Sequence, residues 1–325
     1  MIDTSVLKRL VRQREFMIFL IIAGMFVIMS FVSPHFLTRG NLLALLLGLS
    51  MEAMIAVAMT SLMVSGGFDM SVGSVVAFSG AFCATLMRMG IPVPLAIVAG
   101  IGIGACAGIM NGFIVAKIGI NPFVTTLASL SIFRGLTMII TQGRNISPLP
   151  AAFNAIGQTR FFDIQSPIWI TLILIILGDI VLRKSRFFRQ NYFIGGNEKT
   201  ARLSGIPVDK MKILNYMLTG LFAGMAGIIL SSRLGTASVT VGIGLELRVI
   251  TAVIIGGASL AGGEGTVLGA FLGSLLMALI TNSLNLLNVD IHWHTFVIGS
   301  TLLTAVLIDR FGKIRRDKIK INILR

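Results

Sequence analysis

Long apolar runs, separated by short polar segments, follow one another along nearly the whole of this 325-residue chain. A helix of about 20 apolar residues spans a hydrocarbon core of roughly 30 Å, and a helix satisfies its own backbone hydrogen bonds in lipid. Stretches such as Ile168 to Leu182 are apolar on nearly every face, so the alternating pattern of a membrane β-barrel is absent. The pattern therefore predicts an all-α integral membrane protein.

The interruptions between the runs predict about ten transmembrane helices in a single domain, residues 1–325. The predicted spans are 16–33, 42–64, 74–87, 93–116, 122–140, 167–182, 213–232, 246–261, 266–288 and 292–308. Segments 65–73 and 255–263 each contain a glycine pair and a further glycine seven positions after its first member. This echo predicts a possible internal duplication, a common feature of transporter folds.

Charge is scarce but unevenly distributed. The chain is 55% hydrophobic and 12% charged, with a net charge of +14. If the N-terminus is cytoplasmic, 20 of the 27 lysines and arginines fall on the cytoplasmic side, among them Lys8, Arg9 and Arg12. This asymmetry predicts a multi-pass protein with both termini in the cytoplasm. The basic residues lie in short blocks between apolar spans, a pattern that disfavours nucleic-acid binding.

Two polar segments are long enough to hold structure of their own. The external segment, about 141–166, is interpreted as a loop or a short surface helix. The cytoplasmic segment, about 183–212, contains a short predicted helix that Asn197 caps and that Gly205 and Pro207 end. A basic connector without a structural role would need no such signals.

Polar residues within or beside the spans are candidates for a translocation path, because charge in lipid is costly. Glu52 either lines a water-filled path or pairs with a basic or hydroxyl group inside the bundle. Asp69 lies in a glycine-rich break and either faces a cavity or caps the third span, while Asn121 either faces the path or caps the fifth. The predicted path residues are Glu52, Ser65, Asp69, Asn121 and Thr125.

Other patterns indicate packing and exclude several kinds of site. Glycines at every fourth position, from Gly100 to Gly112 and from Gly265 to Gly273, predict close approach of helices. His292-Trp293-His294 is typical of an interfacial aromatic belt, with a metal site as the less favoured alternative. The chain contains no phosphate-binding loop and no recognisable catalytic triad. We therefore expect no metal, no cofactor and no enzymatic activity.

Four separated motifs, taken together, resemble the ribose-type permeases of bacterial ABC sugar importers. The motifs are Ser65-Gly66-Gly67-Phe68-Asp69-Met70-Ser71-Val72-Gly73-Ser74, Asn121-Pro122-Phe123 with Thr125-Thr126-Leu127, Gly195-Gly196-Asn197-Glu198 through Arg202-Leu203-Ser204-Gly205-Ile206, and Gly256-Gly257-Ala258-Ser259-Leu260-Ala261-Gly262-Gly263. They occur in the family's order, and the resemblance extends from about residue 16 to residue 310. Glu52 departs from the family, where an uncharged residue is commoner.

The resemblance implies a permease subunit in the bacterial inner membrane that imports a small sugar or sugar-like solute. The expected partners are a cytoplasmic ATP-binding subunit, a periplasmic or extracellular solute-binding protein and a second permease chain, identical or different. The residues that resemble the family's coupling helix, which contacts the ATPase, are Glu198, Ala201, Arg202 and Gly205. An ion-coupled secondary transporter that uses Glu52 or Asp69 is the main alternative, and a channel or scaffold is another.

Overall fold

The computed structural model describes residues 14–323, and within them the chain is almost entirely helical. Thirteen α-helices follow one another: α1 Arg14–Val32, α2 Arg39–Val64, α3 Val72–Arg88, α4 Val93–Phe113, α5 Pro122–Thr141, α6 Ala151–Gln158, α7 Ser166–Lys184, α8 Gln190–Gly196, α9 Glu198–Leu203, α10 Val208–Leu234, α11 Leu245–Ile255, α12 Val267–Leu286 and α13 Ile291–Ile323. A π-helical turn, Ile114–Ile118, extends α4. A hairpin of β1 Arg160–Phe161 and β2 Ile164–Gln165 pairs Arg160 with Gln165 and Phe161 with Ile164.

The predicted fold class is confirmed, since eight of these helices are long and apolar enough to cross a membrane. The predicted spans 74–87 and 246–261 correspond to shorter helices, α3 with 17 residues and α11 with 11. Helix α11 ends at Ile255 with Gly256 as its cap, and Gly257 has a positive φ of 99°, so the rest of that predicted span is an unwound segment. The basic residues Lys8, Arg9 and Arg12 lie outside the described residues.

Glycine faces hold two helix pairs in close contact, as predicted. On α4, a Cβ added to Gly104 would lie 2.6 Å from the Gly220 carbonyl oxygen of α10, and Gly108 lies directly against the Tyr216 backbone. On α12, Gly269 lies against the Gly256 carbonyl at the end of α11. Removing the side chains lets the backbones meet, so dispersion can hold the helices together in lipid.

Helix α2 is the centre of the bundle. All its residues from Leu49 to Val64 are buried, and it packs against α7, α8, α10, α11 and α12. Its C-terminal end leads into the break before α3, and α8 packs beside that end, where Gly195 lies against the Val64 carbonyl. The external segment contains α6 and the hairpin, which agrees with the predicted short surface helix. The polar residues of α2 can therefore contact side chains of several other helices.

Candidate coupling segment and translocation path

Helix α9 begins and ends where the sequence predicts. The Asn197 side chain accepts a hydrogen bond from the Thr200 N–H at 3.0 Å and caps the helix. After Leu203 the chain turns at Gly205, whose φ is +81°. A helix of six residues is not stable alone, so α9 depends on its contacts with the rest of the protein.

Charged side chains attach α9 to the start of α10. Arg202 binds Glu198 at 2.9 Å and Asp209 at 2.5 Å, and Lys212 binds the other Glu198 carboxylate oxygen at 2.6 Å. Lys117, in the π-helical turn after α4, also binds Asp209, at 3.0 Å. Two of the predicted coupling residues, Glu198 and Arg202, therefore have partners within their own chain.

The network favours the charged forms of both predicted coupling residues. Partial burial raises the pKa of Glu198, but the hydrogen bonds and charges of Lys212 and Arg202 outweigh it and hold the pKa below its ordinary value. Hydrogen bonds to Asp209 and Glu198 raise the pKa of Arg202 above its ordinary value. Both groups are therefore ionised throughout the physiological pH range.

The faces of α9 differ sharply in exposure. Ala201 is 3% exposed and packs against Ile194, Val208 and Met211, so its side chain attaches α9 to the bundle instead of reaching a partner. Leu203, by contrast, is 90% exposed at the end of the same helix. Leu203 is therefore the large apolar side chain that α9 leaves exposed, and the motif comparison did not single it out.

Glu52 is paired with a basic residue inside the bundle in this conformation. It is 7% exposed, and its Oε1 lies 2.7 Å from Nε of Arg248 on α11. The second carboxylate oxygen, Oε2, has no hydrogen-bond partner among the described residues. The ion pair joins the middle of α2 to the first turns of the short helix α11.

Two more charged residues accompany this pair. Glu246, in the first turn of α11, lies within electrostatic range of Arg134 and Arg248. Arg134 of α5 donates hydrogen bonds of 2.9 Å to the carbonyls of Val239 and Val241, in the segment before α11. We call the four residues the charge cluster: Glu52, Arg134, Glu246 and Arg248. It contains two acids and two bases, so its net charge is zero when all four are ionised.

Asp69 belongs to a separate buried hydrogen-bond network. Its Oδ1 accepts from the backbone N–H and the hydroxyl of Ser71, at 2.7 and 2.6 Å, where α3 begins. Asn111 of α4 donates to Ser71 Oγ at 3.0 Å, and the Ser129 hydroxyl of α5 donates to Asn111. Asp69 is 1% exposed, so it fixes the break between α2 and α3 in this conformation instead of facing water.

The remaining predicted path residues lie apart from both groups. Ser65 is 2% exposed and accepts a hydrogen bond from Asn215 of α10. Asn121 is exposed and caps α5 by accepting from the Phe123 N–H at 2.8 Å. Thr125 is 5% exposed, and its hydroxyl has no partner among the described residues. The five predicted path residues thus contact different partners and do not form one site in this conformation.

Several polar residues escaped the sequence analysis although a signal for them exists. Arg134 and Arg248 fall inside predicted spans, and a buried arginine costs about as much as a buried carboxylate, about 2.5 to 3.5 kcal/mol on insertion scales. Asn215 likewise opens an apolar span. Asp179 of α7, by contrast, forms an ion pair with Arg183 one turn later, at 2.9 Å. Basic and amide residues inside predicted spans therefore indicate buried polar networks in the same way as acidic residues do.

Within the part of the chain that the structure describes, no three or more histidine, cysteine, aspartate or glutamate side chains come together as potential metal ligands. The His292 side chain is 92% exposed beside Asp290, and Trp293 packs edge-on against Phe296. An exposed histidine next to an aromatic pair fits the aromatic-belt interpretation of this segment.

The chain is similar over most of its length to a known family and to several transport proteins. A family model described as a branched-chain amino acid transport system permease component matches residues 41–306. The ribose import permease protein RbsC of Escherichia coli (strain K12) is 40% identical over 289 residues, which cover 87% of this chain and 89% of the relative. No solved structure matches the chain.

Two arabinose permeases are similarly close. The L-arabinose transport system permease protein AraH of Escherichia coli (strain K12) is 38% identical over 291 residues, 90% of this chain and 89% of the relative. The L-arabinose ABC transporter permease protein AraH of Azospirillum brasilense is 36% identical over 305 residues, 94% and 89% of the two chains. The resemblance to ribose-type permeases is thereby confirmed.

Proposed function

This chain belongs to the family of branched-chain amino acid transport system permease components, and we propose that it carries a small sugar or sugar-like solute through the bacterial inner membrane. It is the permease subunit of an ATP-binding-cassette importer. The observation that carries the choice of solute is its 36 to 40% identity, over most of its length, to permeases for ribose and arabinose. ATP hydrolysis takes place on a partner, since the chain has no phosphate-binding loop.

Helix α9 is the element that the ATPase moves. The segment from Glu198 to Gly205 is capped at one end, turned by glycine at the other and tied to α10 by ion pairs. A partner that pushes on it moves α10 as well, because the ion pairs and the buried Ala201 leave α9 little freedom of its own. ATP-driven closure then rocks the helices between inward and outward openings.

Leu203 anchors the ATPase contact. It is 90% exposed, and a large apolar side chain becomes a strong contact when it fills a groove on a partner. The four predicted coupling residues support this contact without forming it. Glu198, Ala201 and Arg202 hold α9 in place, and Gly205 turns the chain away after the helix. Coupling thus depends on one exposed anchor and a rigid support.

The translocation path passes the charge cluster. With all four groups ionised its charges balance, so it offers hydrogen-bonding groups without attracting ions of one sign, which suits an uncharged polyhydroxyl solute. Glu52 Oε2 and the Thr125 hydroxyl have no hydrogen-bond partners within residues 14–323, and rocking of α2 and α5 brings them to the path. Ser65, Asp69 and Asn121 support the path by fixing the helix ends beside it.

The complete importer contains partners on both sides of the membrane. Two permease chains, identical or different, bind two ATP-binding subunits through α9 in the cytoplasm. A solute-binding protein docks on the external face of the permease. That face includes four arginines and two aspartates: Arg39, Arg88, Arg144, Arg160, Asp163 and Asp290. Because that face carries more arginines than aspartates, acidic lobes of a binding protein complement it. Both chain termini lie in the cytoplasm.

The test compares two exposed apolar residues on opposite faces. Leu203 is 90% exposed and Phe162, in the external hairpin, is 93% exposed. We expect Leu203→Ala to weaken copurification of the ATPase by about fivefold or more, a loss of at least about 1 kcal/mol. Phe162→Ala should leave copurification unchanged. Equal copurification of both variants would remove α9 from the ATPase interface.

A second measurement separates the importer from the ion-coupled alternative. In proteoliposomes that contain the permease with its ATPase and binding protein, uptake of labelled pentose should require ATP and persist when ionophores remove ion gradients. Uptake that needs no ATPase and disappears with the ionophore would instead assign Glu52 or Asp69 to ion coupling.

A further inference from the structure

Four buried polar side chains form one hydrogen-bonded cluster where α2, α8 and α10 meet. We call it the amide cluster: Ser61 of α2, Ser65 at the end of α2, Asn191 of α8 and Asn215 of α10. Both asparagines are 0% exposed, and the serines are 7% and 2% exposed. Hydrogen bonds between serine and asparagine side chains of different helices help to hold a membrane bundle together, so this cluster joins the three helices directly.

The cluster uses all of its amide donors. Asn191 Nδ2 donates to Ser61 Oγ at 2.9 Å and to Asn215 Oδ1 at 3.3 Å. Asn215 Nδ2 donates to Asn191 Oδ1 at 2.9 Å and to Ser65 Oγ at 3.2 Å. The Ser61 hydroxyl donates to Asn215 Oδ1 at 2.9 Å, and the Ser65 hydroxyl donates to the Leu62 carbonyl at 2.7 Å. Sliding or rotating α8 would leave several buried groups without partners, so only one arrangement is favourable.

Helix α8 makes a second close contact on the neighbouring side. Gly195 lies directly against the Val64 carbonyl, and a Cβ added to Gly262 would lie 2.7 Å from the Gly195 Cα. The Gly263 N–H donates to the same Val64 carbonyl at 2.8 Å, and the Tyr192 hydroxyl donates to the Gly265 carbonyl at 2.8 Å. Helix α8 is therefore held between the end of α2 and the unwound segment that follows α11.

Asn197 joins this rigidly held helix to α9. It is at once the last cap of α8 and the first cap of α9, so no flexible linker separates the two. A displacement of α9 must therefore be passed to α8, and α8 cannot move without its partners in the amide cluster.

We infer that the amide cluster transmits the movement of α9 to α2 and α10, with Asn191 and Asn215 as positioning residues for coupling. This inference rests on the proposed function, in which a partner ATPase moves α9. The cluster touches neither the ATPase contact nor the charge cluster. Glu52 is carried on the same helix as Ser61 and Ser65, so the displacement of α2 reaches the Glu52–Arg248 ion pair. The cluster thus links the energy-consuming site to the path.

The experiment measures ATP hydrolysis and uptake by the reconstituted importer carrying Asn191→Ala, Asn215→Ala or both. Basal hydrolysis should persist, because the ATPase contact on α9 remains. Stimulation of hydrolysis by the solute-loaded binding protein should fall about fivefold or more, the lower range of ordinary coupling between two sites. The double variant should fall no further than the worse single one, because the two amides act as a unit.

The matched control is Asn282→Ala. Asn282 and Asn41 exchange two amide hydrogen bonds, 2.7 and 3.2 Å, between α12 and the opposite end of α2. This variant should lose comparable thermal stability but keep its stimulation. Equal stimulation losses in Asn191→Ala and Asn282→Ala, or no loss in Asn191→Ala, would overturn the inference.

If the alanine variants at the asparagines fail to assemble, Ser61→Ala tests the same inference, because it removes one hydroxyl of the cluster at a residue that is not assigned to the path. Its stimulation should fall while its assembly is intact, and unchanged stimulation would overturn the inference. A parent importer that shows no ATPase-dependent uptake would overturn the proposed function itself, which is a distinguishable result.

Discussion

Glu52 and Arg248 illustrate how a buried charge depends on its partner at the residue scale. Glu52 is enclosed by α2, α11 and their neighbours, and Arg248 is its nearest opposite charge, at 2.7 Å. Removing one member of a buried ion pair leaves the other uncompensated, whereas removing both relieves the cost. The pair therefore stabilises a particular arrangement of α2 and α11 more than it stabilises the fold.

We expect Glu52→Gln and Arg248→Gln each to lower the free energy of unfolding by about 3 kcal/mol, and the double variant to lose less than their sum. Thermal unfolding in detergent measures all three. Arg183→Gln is the control, because its ion pair with Asp179 has side chains 49% and 28% exposed and should contribute about 0.5 kcal/mol or less. Additive losses at Glu52 and Arg248 would show that the two charges do not depend on each other.

Residues were predictable where their role is local. Asn197 and Asn121 cap helices that begin one residue later, so a few neighbouring positions contain the whole signal. The partners of Glu52 and Ser65 were not predictable, since Arg248 and Asn215 are distant in the chain and meet them only through helix packing. Glu52 was recognised as costly in lipid, but only the fold determines which residue compensates it.

At the scale of elements, glycine patterns predicted contacts better than hydropathy predicted lengths. The glycines of α4 and α12 mark close helix pairs because only a missing side chain permits the observed backbone approach. The predicted span 246–261 is longer than helix α11, because the residues from Gly256 onward are still mostly apolar although the helix has ended. Hydropathy cannot distinguish an apolar helix from an apolar unwound segment buried in protein.

The turn after α9 gives a prediction about a single element. Gly205 has a φ of +81°, and a Cβ at this position would meet nothing within 4 Å. Substitution there changes backbone strain alone, so Gly205→Val should cost about 1 to 2 kcal/mol locally. Gly205→Asn is the control, because asparagine adopts positive φ more readily.

Both Gly205 variants should insert and express like the parent, since no membrane-spanning helix contains this residue. ATP-dependent uptake should fall for Gly205→Val and stay near the parent level for Gly205→Asn. Full uptake by the valine variant would mean that the turn has no part in coupling.

At the scale of the whole molecule, α10 sets the distance between the two proposed working surfaces. Its 27 residues extend about 40 Å at 1.5 Å per residue, more than the roughly 30 Å of a hydrocarbon core. Near its start, Lys212 binds Glu198 of α9 at 2.6 Å, and near its end the Arg233 carbonyl accepts from Gln158 of α6 at 3.0 Å. The coupling segment and the external segment therefore lie at opposite ends of one helix.

This arrangement makes the orientation of the molecule testable at two positions. Reporter fusions at Gln158 and Thr200 must give opposite signals, because α10 separates them. The excess of basic residues around α9 further predicts that Thr200 is cytoplasmic and Gln158 external. Opposite signals with reversed sign would invert the orientation while preserving the fold, and would move α9 out of reach of any cytoplasmic ATPase. Identical signals at both sites would contradict the course of α10 itself.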